Sequence, residues 1–376
     1  MLNGEIRLKK QSWPLYRRLT ALILTLTGLG LVMVHNTTFT MAGQKYQDPY
    51  FFLKKELFFA LLGFFSFVLA RKISLERLRK FSKVFVLFSI FLLGLVLIAG
   101  KEVHGAKRWL ALGPFSFQPS EFAKVAVIIY LSDFLARKEG KLRNPLHSFI
   151  PPGILVGMNL VLILAERDLG TPLLLAGVIL ILYFVAGAPL KYLGILAITV
   201  MLGGSGMVWT ESYRRTRIFS FLESFFNPLE GGYHIRQSLI GVGSGGLFGV
   251  GPGHGRQKLF FLPEAHTDFI FANIAEELGF FGSLFFLALF LFLIHYGLET
   301  ARRTDNKFQQ LLALGITSLI GLQAFFHVAV VISLLPPKGI TLPFISYGGS
   351  SLLFTLFTAG LLVQIAHQLP SEEVWE

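Results

Sequence analysis

The 376-residue sequence contains no cysteine, which removes disulfides, thiol chemistry and Cys-ligated metals and leaves the redox compartment open. Charge is also scarce: Asp, Glu, Lys and Arg make up 15% of the chain, where a soluble domain carries roughly 25%. Hydrophobic residues reach 53%, too much for so little charge to cover, so a polytopic helical membrane protein is expected. Tyr and Trp number 10 and 4 against 39 Phe, so most aromatic area lacks a polar handle, as lipid-facing or bundle-core surface does. The nine His are scattered without H-E-x-x-H or other tight ligand spacing, which argues against a protein-built zinc site. Residues 241–246 fit G-x-G-x-x-G formally, but no strand precedes them and no αβ unit surrounds them, so no organic cofactor is expected.

The net charge of +12 does not indicate nucleic acid, because the basic residues sit in short clusters between apolar runs. Ten apolar segments are countable: 19–38, 53–70, 82–100, 120–135, 148–165, 171–187, 192–209, 270–298, 309–333 and 350–368. The first follows a basic arm (1–18) without a small-x-small cleavage site and reads as a retained helix. Several segments are shorter than the ~20 residues a straight helix needs to cross ~30 Å of hydrocarbon. Those must thin the bilayer, line a protein cavity or extend into their loops. An even number of spans puts both termini on one side. Short loops on that side carry 19 Lys and Arg against 8 on the other, so the termini, including a tail over 369–376, are expected in the cytoplasm. The fold expected is therefore all-α, one membrane domain over 1–376, with ten transmembrane helices and a large extracytoplasmic loop (210–269) between helices 7 and 8.

The outward loops hold the unusual sequence. Asp268 follows Leu262-Pro263-Glu264-Ala265-His266-Thr267 and precedes an apolar helix. Two readings are open: Thr267 or Asp268 caps that helix, or the Asp268 carboxylate accepts a proton at the rim of a cavity. Capping lowers its basicity, whereas the phenyls of Phe260, Phe261 and Phe269 raise it. His266 either orients Asp268 or is a structural histidine, and Glu264 is a loop charge or the partner of Arg256 or Lys258. At least one of Glu276 and Glu277 should face the bundle interior, since an unpaired charge in hydrocarbon is costly. Eight glycines within 241–255 suggest either a flexible loop or a cavity-lining one whose amides meet phosphate oxygens.

Glu121 and Lys124 share a helix face in the fourth segment and are expected to pair, as packing glue or as cavity wall. Glu166-Arg167-Asp168 caps the hairpin between the fifth and sixth segments, ahead of Gly170-Thr171-Pro172. Lys107, Arg108, Arg214, Arg215, Arg217, Arg256, Lys258 and Lys338 give the outer loops more cation than tethering requires, a natural complement of diphosphate. Trp109 reads as an interface anchor or a sugar-stacking ring.

These motifs together resemble the SEDS family (shape, elongation, division and sporulation) of bacterial peptidoglycan glycosyltransferases. The resemblance runs through GAKRWL at 105–110, QPSEFAK at 118–124, DLGT at 168–171, GGYHIRQS at 231–238, GSGGLFG at 243–249, FLPEAHTDFIF at 261–271, EELGFFG at 276–282 and PPKGITLPFISYGGSS at 336–351. The HTDF wording and Pro336-Pro337-Lys338-Gly339 favour its division branch, like FtsW, over its elongation branch, like RodA. The resemblance implies ten helices, polymerisation of lipid II onto a lipid-linked nascent glycan, and an essential Asp at Asp268. It implies paired charges at Glu121 and Lys124 and the hairpin acid at Asp168. The family hairpin E-P-D-L-G here reads Glu166-Arg167-Asp168-Leu169-Gly170, with Arg in place of Pro. A class B penicillin-binding protein, within the divisome or elongasome, is the partner implied. Asp268 as general base of an inverting transfer is the mechanism expected, with a divalent cation (Mg²⁺ or Mn²⁺) shared with diphosphate left open. A lipid II transporter and a transpeptidase scaffold are the rival readings.

Overall fold

The computed structural model describes residues 13–370 apart from 104, 114, 143, 211–214, 217–218 and 224–231. Arg214, Arg217, most of the basic arm and most of the C-terminal tail lie outside the described residues. Each of the ten apolar segments is a helix: α1 (Leu15–Tyr46), α2 (Phe51–Ala70), α3 (Ser82–Ala99), α4 (Pro119–Arg137) and α5 (Ile150–Ala165), then α6 (Gly170–Val185), α7 (Leu190–Thr210), α8 (Ile270–Arg303), α9 (Lys307–Val331) and α10 (Gly349–His367). Five of them, α1, α3, α8, α9 and α10, are long and apolar enough to cross a bilayer by length and composition. The chain is a multi-pass helical membrane protein.

Helix α4 forms the centre, with residues 123–133 buried throughout. Without a hydrophobic drive between helices in lipid, close packing holds such a bundle together. Small residues permit it: a Cβ on Gly315 of α9 would lie 2.7 Å from Ile128 of α4. Helix α8 is broken at Gly279, whose φ of 67° and ψ of −162° suit glycine alone, and its outer piece leans on the loop before it.

Contacts sort the connections to two ends. At the basic end, Tyr16 and His367 rings meet at 4.8 Å, Gln309 bonds Gln368 at 3.0 Å, and Arg79 bonds Asp133 at 3.0 Å. The start of α1 and the end of α10 therefore share that end. The opposite end carries the elaborated loops. An all-α fold is expected, yet one of these loops is a three-stranded antiparallel meander: β1 (Lys101–Val103), β2 (Ala106–Leu112) and β3 (Phe115–Phe117). Gly105 and Gly113, at φ of 75° and 63°, turn the chain between its strands. The meander is fastened to α10, where Ser350 Oγ donates to Ser116 O at 3.1 Å and accepts from Gln118 N at 3.2 Å. The described part of the 210–269 loop contains a helix over Tyr233–Ser244 and a π-turn over Gln257–Phe261.

Candidate active site

Asp268 is held by its own turn. The amides of Thr267, Asp268 and Phe269 all donate to Glu264 O, at 3.1, 3.1 and 3.2 Å. The residue that caps α8 is Phe269, which has no side-chain acceptor, and the Thr267 hydroxyl donates back to Glu264 instead. The capping role for Thr267 is therefore corrected, and α8 begins beyond Asp268. Three further bonds pin the backbone before it: Asn273 Nδ2 to Ala265 O at 2.9 Å, Tyr347 N to His266 O at 3.0 Å, and Ser346 Oγ to Thr267 O at 2.6 Å. Asp268 is half-buried, and a Cβ on Gly339 would lie 3.3 Å from its Oδ2. The connection between α9 and α10 thus passes directly against the carboxylate, and Lys338 is the next residue back along it.

That connection is fixed from α9. His327 Nδ1 donates to Ile340 O at 2.8 Å, and one turn earlier Gln323 Nε2 donates to Thr341 O at 2.9 Å. Gln323 Oε1 reaches Lys124 Nζ at 3.4 Å, and Lys124 pairs with Glu121 at 2.9 Å. Glu121 and Lys124 are both buried and line a small cavity with Gln323, Phe354 and Thr355. Burial holds the Lys338 ammonium below the usual lysine range, and the Asp168 carboxylate draws it part of the way back.

Asp168 has its oxygens engaged at the start of α6. Oδ1 accepts from Gly170 N at 2.9 Å and Thr171 N at 3.2 Å, and Oδ2 accepts from Thr171 Oγ1 at 2.7 Å. Arg108 grips the same hairpin from β2, donating to Glu166 O at 3.0 Å and Arg167 O at 2.5 Å. Arg167, at φ 62°, returns a bond to Gly105 O at 2.9 Å. Glu166 is buried, and neither carboxyl oxygen has a hydrogen-bond partner among the described residues. Burial, reinforced by the Asp168 charge and opposed by Arg108, pushes its carboxyl up to about 8.

The glycine segment departs from expectation. Its amides do not stand free for phosphate: Val250 N and Gly251 N donate to the carbonyls of Glu276 and Glu277 at 3.0 and 3.1 Å. Gly253 N donates to the Glu277 carboxylate at 2.9 Å, and Arg256 N and Gln257 N donate to Glu276 at 2.8 and 3.1 Å. The glycines serve close packing, since a Cβ on Gly255 would lie 2.8 Å from the Glu277 carboxylate and 2.9 Å from that of Glu276. Lys258 belongs to the same knot. Its ammonium donates to Asn36 Oδ1 and to Glu277 Oε1, both at 2.7 Å, and Asn36 in turn donates to Glu277. Both Glu276 and Glu277 face inward. Arg256 and Lys107 are exposed and Arg215 is half-buried. His266 packs beside Phe52 and Tyr347, at ring separations of 5.5 and 5.7 Å, and burial lowers its pKa from the ordinary histidine value.

The sequence profile described for the FtsW/RodA/SpoVE cell cycle proteins matches residues 17–371. The chain belongs to this family. It is 39% identical over 346 residues to a protein of Geobacter sp. (strain M18) named probable peptidoglycan glycosyltransferase FtsW, covering 92% of this chain and 94% of that one. It is 39% identical over 350 residues to stage V sporulation protein E of Bacillus subtilis (strain 168), covering 93% and 95%. Among solved structures, a chain of a peptidoglycan synthase complex that coordinates polymerization and crosslinking superposes with TM-score 0.75 at 28% identity, covering 93% of this chain and 96% of that chain. The rod shape determining protein RodA of Thermus thermophilus superposes with TM-score 0.69 at 27% identity, covering 94% and 97%.

Within this FtsW/RodA/SpoVE fold, several residues around Asp268 escaped sequence reading. Gln323 and His327 look like ordinary members of an apolar helix, although their spacing puts both on one face. Asn36 carries no signal at all. Glu56, buried in α2, accepts from Gly348 N at 3.4 Å, and its neighbours Lys54 and Lys55 disguise it as a surface charge.

Proposed function

We propose that the chain is a peptidoglycan glycosyltransferase of the division branch, polymerising lipid II, with its loop-rich end outside the cytoplasmic membrane and both termini in the cytoplasm. The observation that carries this reading is Asp268, half-buried against Gly339 and beside Lys338 in a membrane bundle. Both substrates arrive by their lipid tails, so the ten helices are read as spans and no soluble catalytic domain is required.

In the proposed step the 4-hydroxyl of the incoming lipid II attacks C1 of the nascent strand's terminal sugar. The new C1–O bond forms as the C1–O bond to diphosphate breaks, with inversion. Asp268 takes the hydroxyl proton, and the departing diphosphate takes the bonding electron pair. Lys338, one residue before the Gly339 that packs against Asp268, meets the charge that develops, with Lys107 and the basic loop residues drawing in the anionic head. No group of three or more His, Cys, Asp or Glu side chains suited to a metal is present among the described residues. A divalent cation held at this site by a carboxylate of the chain would supply further charge for the departing diphosphate. A class B penicillin-binding protein is the proposed partner, supported by the solved synthase complex that couples polymerization to crosslinking. A transport reading has less support, because Lys258, Glu276 and Glu277 are tied into one knot rather than spread along a polar route.

Asp268→Asn keeps size and removes the base. Purified and supplied with lipid II, it should lose at least ~100-fold in polymerisation, the low end of general-base contributions, while unfolding at the parent temperature. Near-parent glycan synthesis by this variant would reject the role.

A further inference from the structure

Helix α2 presents a carboxylate that the proposed chemistry does not use. Glu56 is 2% exposed and forms no salt bridge among the described residues. Its sequence neighbours look elsewhere: Lys54 pairs with Asp48 at 2.8 Å, and Lys55 lies 4.4 Å over the Phe51 ring. A buried carboxyl without a cation is expensive to keep, so what it holds matters. Its Oε2 accepts the amide of Gly348 at 3.4 Å. Phe52, one turn earlier on the same face, sets its ring 5.2 Å from Tyr347, edge to face, and 5.5 Å from His266. The turn over residues 346–348 is thereby seated on α2, and from it Tyr347 N and Ser346 Oγ bond His266 O and Thr267 O at 3.0 and 2.6 Å.

We propose that Glu56 is a positioning residue for Asp268. Through Gly348 it fixes the Ser346–Tyr347 turn, and that turn fixes the two carbonyls immediately before the reacting carboxylate. As carboxylate or as carboxylic acid, the side chain offers Gly348 an acceptor oxygen, which Gln also supplies and Ala does not. The inference rests on Asp268 acting as general base.

The test measures kcat, KM for lipid II and thermal unfolding of Glu56→Ala, Glu56→Gln and Asp268→Asn in one polymerisation assay. Glu56→Ala should lose ~10–100-fold in kcat, the scale of a displacement near 1 Å at the reacting group, with KM and unfolding temperature near the parent. Glu56→Gln should return to within about threefold of the parent, since it keeps the acceptor. Parent-like kcat in Glu56→Ala, a loss that tracks the unfolded fraction, or no rescue by Gln would each overturn the proposal. An inactive Asp268→Asn beside a parent-like Glu56→Ala rejects Glu56 alone. A parent-like Asp268→Asn rejects the base assignment and this inference with it.

Discussion

Lys258 and Lys338 both lie near the loop-rich end, and their surroundings differ in one decisive respect. The Lys258 ammonium is buried between Asn36 and Glu277 with a 2.7 Å bond to each, and Glu277 in turn serves the Gly253 amide. Lys338 is only half-buried, and the carboxylate that bears on it, Asp168, already accepts from Gly170 and Thr171. A cation saturated by its own fold has nothing left for a substrate. A cation acted on by an acid that other donors already engage retains the capacity to meet an incoming anion. By this criterion the glycine knot is architecture, and Lys338 is the cation assigned to substrate in the proposed reaction.

Lys258→Met attacks the architectural side and should have the largest effect on folding. It leaves Glu277 buried without its ammonium, a defect of ~3–5 kcal/mol, read as a lowered unfolding temperature in detergent. Parent-like stability would place Lys258 among the substrate cations instead. Lys338→Ala attacks the chemical side. It should lower polymerisation ~10-fold at subsaturating lipid II, with Lys338→Arg recovering part of the loss, while stability moves by no more than ~1 kcal/mol. Equal polymerisation by both variants across lipid II concentrations would return Lys338 to the membrane surface.

The last effect is read in the pH dependence of stability and concerns Glu166. Its carboxyl is raised to about 8 in the fold, so the folded state holds a proton that the unfolded chain releases nearer the ordinary glutamate range. Stability from this group is therefore full below pH ~4 and falls as pH rises, until the loss levels off above about 8. Glu166→Gln imitates the protonated form and should flatten that slope in thermal unfolding scans between pH 5 and 9. An unchanged slope would assign the pH dependence to another group.

The helices were legible because an apolar run long enough to be a span admits few other fates. The meander was not: strands of three, seven and three residues, with Lys107 and Arg108 inside the longest, give no usable alternation. The pairing of Glu121 with Lys124 followed from helical spacing alone. The role of the glycines did not, because a phosphate cradle and a close-packed turn both demand residues without side chains. Only the placement of Glu276 and Glu277 behind them decides between the two. The Asp268 corner was legible in its parts, a carboxylate ahead of a helix and a Pro-Pro-Lys-Gly segment. Its assembly depends on a contact between Gly339 and Asp268 that no local pattern encodes.

The Asn36–Lys258–Glu277 knot also bears on how the protein is made. Asn36 sits in α1, and Lys258 and Glu277 follow much later in the chain, so the three cannot meet until the start of α8 has been synthesised. Until then Lys258 has no Glu277 carboxylate to pair with, and α1 must wait without its eventual neighbour. A chain interrupted between Lys258 and Glu277 would leave Asn36 and Lys258 without the carboxylate that ties them together.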